Sequence, residues 1–295
     1  WRVGLLDIQT QAEKEKGLPA ENFGVFSLQR KVLDRSSIGM IFVNKQSLGK
    51  LEDTKTTAAE YNRNLGLEYN YFSADNLWNG KLMYLKSFSP NLSDQDAIFA
   101  GNLTYNNNNF LGSVQAEYVG ENYNAELGYV PRTHYHKFDT TLRYLFFPSQ
   151  DSKILSHGPL VGSIQYFNFD GLGIERGTQL GYELNFKNRS KMVFIFKNQF
   201  IVLQNPFDPI RTGIRSLEAL TEHRWNSINL DYNSKPQSLF TYALKSSYGG
   251  YFQDGKRWLF FSEMGNELLK QFIRFDLETE SLHKILKISA GWENE

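Results

Sequence analysis

His134 and His136 stand one residue apart, with Asp139 close by. On an extended strand that spacing turns both imidazoles to one face, where a carboxylate could complete a metal site. Two histidines without a fixed third ligand rarely make a site, and a polar loop beside Pro131 is much the better account of them. Ser47-Leu48-Gly49-Lys50 has the Ser-x-x-Lys spelling of acyl-transfer enzymes, yet it falls in a loop and lacks their other motifs. Gly171, Gly173 and Gly177 miss the dinucleotide-binding spacing by one residue and do not sit between a parallel strand and a helix. Glu117, Glu126, Glu175 and Glu183 would serve as glycosidase carboxylates if two met across roughly 5–9.5 Å of cleft. Hydrated charges on one face of a sheet are the plainer reading. Asn205-Pro206-Phe207-Asp208-Pro209 has its backbone fixed by two prolines, as suits a partner contact or a rigid turn. No acid and base are assembled, so no enzyme is expected, and no catalytic, cofactor-binding or metal residue and no cofactor is assigned.

The elements that would position these residues alternate at period two, the periodicity of strands. In 60–72 one face carries Tyr61, Arg63, Leu65, Leu67, Tyr69 and Tyr71, and the other Glu60, Asn62, Asn64, Gly66, Glu68 and Asn70. In 173–187 Ile174, Arg176, Thr178, Leu180, Tyr182, Leu184 and Phe186 oppose Glu175, Gly177, Gln179, Gly181, Glu183 and Asn185. Similar segments are placed at 1–9, 22–30, 36–44, 81–89, 96–105, 110–119, 123–130, 136–147, 160–169, 191–204, 223–232, 238–252 and 257–265, about fifteen strands in all. Turns are marked by Asp75-Asn76, the run from Asn106 to Asn109, Gly120-Glu121-Asn122, Asp170-Gly171, Lys187-Asn188-Arg189-Ser190 and Gln253-Asp254-Gly255. No linker divides the chain, which reads as one meander over residues 1–295.

Composition narrows the class. Among 295 residues, 32 Lys+Arg balance 32 Asp+Glu, leaving no global basic field for nucleic acid. Cysteine is absent, which excludes disulfides, thiol nucleophiles and thiolate metal sites. No apolar run approaches the roughly 18 residues of a membrane-spanning helix. The chain opens at Trp1 inside a strand, without a start methionine or signal segment, and reads as mature or partial.

Long alternating antiparallel strands arise in a soluble sheet with its apolar face inward, or in a membrane barrel with that face toward lipid. The polar face here includes Asn124 and Glu126, Gln115 and Glu117, Asp139 and Arg143, and Ser163 and Gln165, a continuous surface that suits a wet lumen. Tyr61 and Tyr71 bracket Leu65 and Leu67, as an aromatic girdle would. Arg63 and Arg176 fall on the apolar face near segment ends, where a long side chain snorkels to headgroups at low cost. A secreted, aromatic-rich β protein that binds or hydrolyses carbohydrate stays open as the alternative.

The strings Gly4-Leu5-Leu6-Asp7-Ile8-Gln9-Thr10, Pro19-Ala20-Glu21-Asn22-Phe23 and Asp34-Arg35-Ser36-Ser37-Ile38-Gly39-Met40-Ile41-Phe42 resemble a known family. So do Gly128-Tyr129-Val130-Pro131-Arg132, the 205–209 loop, and Gly250-Tyr251-Phe252 followed by Gly255-Lys256-Arg257. The sequence is similar, over nearly its whole length, to domain of unknown function 5916, the C-terminal β-barrel region of outer-membrane proteins from Bacteroidetes-type bacteria. The resemblance implies an antiparallel up-and-down transmembrane β-barrel of about 14–16 strands in the bacterial outer membrane. It also implies a missing signal peptide and a missing N-terminal domain like carbohydrate-binding module family 9. Because the chain finishes Trp292-Glu293-Asn294-Glu295 rather than on an aromatic, downstream residues are implied too, and closure within these residues is left open. The function expected is a membrane anchor and scaffold or a passive conduit. Its expected partners are outer-membrane lipid, other outer-membrane proteins or lipoproteins, and carbohydrate through the missing domain. Barrels keep their longer loops at one rim, so 10–21, 44–57 and 205–218 should share a rim, with an even number of strands between each pair.

Overall fold

Period-two alternation rich in aromatic and β-branched residues favours extended chain, and the computed structural model of the protein contains strands and no α-helix among its described residues. The structure describes residues 1–13, 15, 18–49, 60–90, 92–209, 216–238, 240–252, 255–266, 271–280 and 285–294, from 261 onward as backbone alone. The strands are β1 (Arg2–Gln9), β2 (Glu21–Val32), β3 (Ser36–Ser47), β4 (Tyr61–Phe72), β5 (Trp78–Phe88), β6 (Ala97–Asn106), β7 (Phe110–Val119) and β8 (Tyr135–Tyr144). They continue as β9 (Ile154–Phe167), β10 (Gly173–Phe186), β11 (Lys191–Val202), β12 (Glu222–Asn233), β13 (Phe240–Gly250), β14 (Lys256–Asn266), β15 (Gln271–Glu280) and β16 (Ile285–Asn294).

Every strand lies beside its sequence neighbours in an antiparallel up-and-down sheet, which fourteen strands carry as far as Asn266 and β15 and β16 extend. No pairing joins β1 to β16 among the described residues, so the sheet is not closed into a barrel. The chain forms two compact units. Unit 1 comprises Trp1–Asn106, Ser113–Phe138 and Phe167–Leu172; unit 2 comprises Asn107–Gly112, Asp139–Tyr166 and Gly173–Glu295.

One expected strand is absent. Residues 123–130 alternate, yet they form no ladder, because side chains of β4 and β5 take up their backbone groups. With that segment removed, two strands separate the 10–21 and 44–57 connections and eight separate 44–57 from 205–218. Both counts are even; residues 44–47 belong to β3, and 50–57 and 210–215 of these connections lie outside the described residues.

Within each unit the burial pattern is inverted relative to a soluble sheet. In unit 1 the register aligns Val3, Leu28, Met40, Leu67, Tyr84 and Phe99 in one row across six strands. Leu67 is 50% exposed and Phe99 55%. On the opposite face Asn62 is 0% exposed and Ser87 2%. In unit 2 Leu180, Phe196, Ile228, Tyr248 and Trp258 form a row across five strands, all exposed, while Glu183 and Ser156 are buried on the other side. Leaving such a Leu or Phe uncovered in water forgoes roughly 1.5–3 kcal/mol of burial each. Aromatic pairs sit toward strand ends, among them Trp78 with Tyr105 at 4.9 Å and Tyr144 with Phe146 at 4.9 Å between ring centroids.

Candidate functional site

The polar face of unit 1 is a built wall. β4 places Asn62 and Asn64 two residues apart on one face, and Asn64 donates to Asn62 Oδ1 at 2.8 Å. Asn62 Nδ2 in turn donates to Ser89 Oγ at 2.8 Å and to the Asn124 carbonyl at 3.0 Å. The segment 120–134 tucks against this wall: Glu126 N–H donates to Asn62 Oδ1 at 3.2 Å, and Asn124 N–H to Ser87 Oγ at 3.1 Å. Glu126 and Glu21 share Lys45, at 2.5 and 2.9 Å. The entry of the segment is fixed by Gly120, whose α-carbon passes so close to the Gln95 carbonyl that a side chain would collide with it. Asn122 then holds the Ser93 and Asp94 carbonyls at 3.2 and 3.1 Å. Tyr123 is buried there, and that burial pushes its phenol pKa up. Segment and wall thereby pair the polar groups of Asn62, Ser87, Asn124 and Glu126, while Asn64 Oδ1 is buried without a hydrogen-bond partner among the described residues.

Unit 2 has a charged wall. β10 turns Glu183 inward, 2.9 Å from Lys191 Nζ and 3.7 Å from Arg143, and Asn185 donates to it at 2.7 Å. Asn185 also reaches Ser156 Oγ at 3.1 Å. At one end of the same unit Leu203, Leu217 and Phe252 make a small apolar core, against which Trp225 packs. The rigid 205–209 loop enters here: Phe207 exchanges two backbone hydrogen bonds with Leu217, and its ring lies 5.1 Å from Phe252. His223, 4% exposed, bonds Thr221 at 2.8 Å beside this core.

The residues singled out for chemistry are dispersed. His134 precedes β8 in a left-handed conformation, its Nδ1 3.1 Å from Glu121 Oε2 and its ring stacked on Phe169. His136 lies against Tyr118 and Phe169, and alternation along β8 puts Asp139 on the opposite face. Among the described residues no three His, Asp or Glu side chains gather to hold a metal. Glu117 accepts from the Tyr135 hydroxyl at 2.9 Å, while Glu126 and Glu183 are bound by cations as described, and Glu175 has a partner of its own. Ser47 sits at the end of β3, while Lys50 lies outside the described residues, as do Gln253 and Asp254. Gly171 makes the tight β9–β10 turn at φ 80°, and Gly177 faces the unit 2 interior beside Ile164. Ser163 and Gln165 share a face with exposed Val161 rather than with the polar wall, because Gly162 and Ile164 are the residues meeting Gln179 and Gly177. Sequence reasoning passed over Lys45, Asn62, Ser87 and Asn124 as a group. Their one signal was a polar face too continuous for a surface.

A comparison with curated proteins finds no match. A family model does match, that of the domain of unknown function DUF5916, over residues 5–276. The chain belongs to that family.

Proposed function

We propose that this member of the DUF5916 family is a bacterial outer-membrane β-barrel, closed in lipid, that acts as an anchor and scaffold rather than an open conduit. The observation that carries the reading is the inversion of burial: exposed Leu67 and Leu82 on one face of β4 and β5, buried Asn62 and Ser87 on the other. Lipid is the solvent in which that arrangement is stable, and closure is how strand edges are satisfied there. The 120–134 segment supports a scaffold, since its Asn124 and Glu126 backbone groups are spent on the inner wall. The partners proposed are lipid, other outer-membrane proteins or lipoproteins, and, through an N-terminal carbohydrate-binding-like domain, sugar.

A soluble carbohydrate-binding protein would use its aromatics as a sugar platform, and unit 1 has an apolar concavity of about 1060 Å³ bordered by Tyr69, Tyr84 and Tyr118. The same concavity is lined mainly by apolar side chains such as Leu28, Met40, Leu67 and Leu82, which suit acyl chains, with Arg30, Glu68 and His136 among the polar groups of its lining. Adjacent residues test the reading. A bimane probe on Leu82→Cys should be quenched by lipids brominated in the acyl chain, and the same probe on Met83→Cys should not. Equal quenching at both positions would reject it, and steady single-channel conductance in a planar bilayer would reject the scaffold in favour of a conduit.

A further inference from the structure

Along the outward face of unit 2 the chemistry changes in steps. The row Leu180, Phe196 and Ile228 is apolar and exposed. Two residues along, Thr178, Asn198 and Asn226 form the next row, with Asn198 Nδ2 donating to Asn226 Oδ1 at 2.7 Å. Two residues further, Arg176, Phe200 and Arg224 lie side by side on β10, β11 and β12. At about 3.3 Å per residue the arginines stand roughly 13 Å along the strand from the apolar row. Resting on the membrane reading above, that places them at headgroup depth, the level at which cations meet an anionic lipid surface.

Their geometry suits one anion. Arg224 holds its guanidinium 4.8 Å over the Phe200 ring, and its only carboxylate neighbour among the described residues is exposed Glu222 at 3.5 Å. Arg176 is exposed and makes no hydrogen bond, ion pair or ring contact among the described residues. With one strand between them, their α-carbons are roughly 10 Å apart, so both long side chains reach a common point above Phe200. Two guanidiniums reaching that point would match the oxygens of a phosphate, and the exposed apolar row below supplies a bed for acyl chains. Unit 1 repeats the device in a simpler form. Arg63 lies four residues from Leu67, as Arg176 does from Leu180, with its guanidinium 4.7 Å over Tyr61 and oriented by Asn44 and Gln46. There the fork is already partly used.

We infer that Arg176, Phe200 and Arg224 form a binding site for the phosphorylated headgroup of an anionic membrane lipid. The test uses the protein folded in a neutral detergent, with diphosphorylated lipid A as probe and retention read by native mass spectrometry. Both arginines are exposed, so R176A/R224A should fold as the parent does. It should retain lipid A about tenfold less well, as expected for loss of charge-assisted bidentate bonds, while a diacylglycerol without phosphate is held alike by both. Unchanged retention in R176A/R224A would overturn the site. So would displacement of lipid A by inorganic phosphate at equal concentration, which would make it a general anion site. The membrane reading fails separately, if the chain is folded and monomeric in plain buffer.

Discussion

The polar wall of unit 1 is completed by backbone lent from a distant part of the chain, whereas that of unit 2 is completed by its own charges. Asn62 and Ser87 engage Asn124 and Glu126, about sixty and forty residues away in sequence. Glu183 is instead satisfied by Lys191 and Asn185 on β10 and its immediate neighbour. Amide networks are neutral and depend on every member being in place, so unit 1's wall is a lock holding one segment. A carboxylate between two partly exposed cations is more tolerant, because water covers part of any loss.

That contrast can be broken, and the largest effect is expected at Asn62. Asn62→Leu strips partners from Asn64, Ser89, Asn124 and Glu126 at once, and should cost about 2–4 kcal/mol in urea unfolding of the detergent-folded protein. A loss below 0.5 kcal/mol, on the order of a surface change, would mean the segment is not held there. Next, Glu183→Gln leaves Arg143 and Lys191 facing each other without a counter-charge; Lys191 is 41% exposed, so the expected loss is about 1–2 kcal/mol. A deficit larger than that of Asn62→Leu would reverse the comparison. Glu126→Gln should cost less than about 1 kcal/mol, since Lys45 keeps Glu21, yet it should speed trypsin cleavage after Arg132 more than Glu183→Gln does.

The smallest effect lies off both walls. In the β4–β5 turn Asp75 accepts from the Ser73 hydroxyl and the Leu77 N–H, and these bonds, the hydroxyl first, lower its carboxyl pKa. The stabilisation is therefore fully present above the ordinary value of about 3.9 and is lost as pH falls through the lower folded value. The protection factor of the Leu77 amide, its exchange rate relative to the intrinsic rate at each pH, should fall in acid in the parent and be low at all pH values in Asp75→Asn, with both walls undisturbed. A protection factor at Leu77 that rises in the parent as the pH falls would contradict the sign.

Local alternation made the strands legible from Arg2 to Asn266, and the 60–72 and 173–187 patterns named both faces of β4 and β10 correctly. The same signal misled at Tyr123, Ala125, Leu127 and Tyr129, which alternate with Asn124 and Glu126, whose backbone N–H groups are taken by Ser87 and Asn62 of β5 and β4. Pairing of that kind is non-local and leaves no periodic trace. β15 was passed over although Ile273, Phe275 and Leu277 alternate with Arg274, Asp276 and Glu278, because so charged a face reads as loop. Arg63 and Arg176 were visible singly, as snorkelling candidates, and Arg224 was not singled out. The alignment of Arg176 and Arg224 across three strands depends on register, which a sequence does not print.

The inversion of burial is the central claim, and detergent dependence tests it most directly. Purified chain should be folded and monomeric by far-UV circular dichroism and analytical ultracentrifugation in detergent or lipid, and should aggregate when these are removed. A folded, monodisperse monomer in buffer alone would contradict the account.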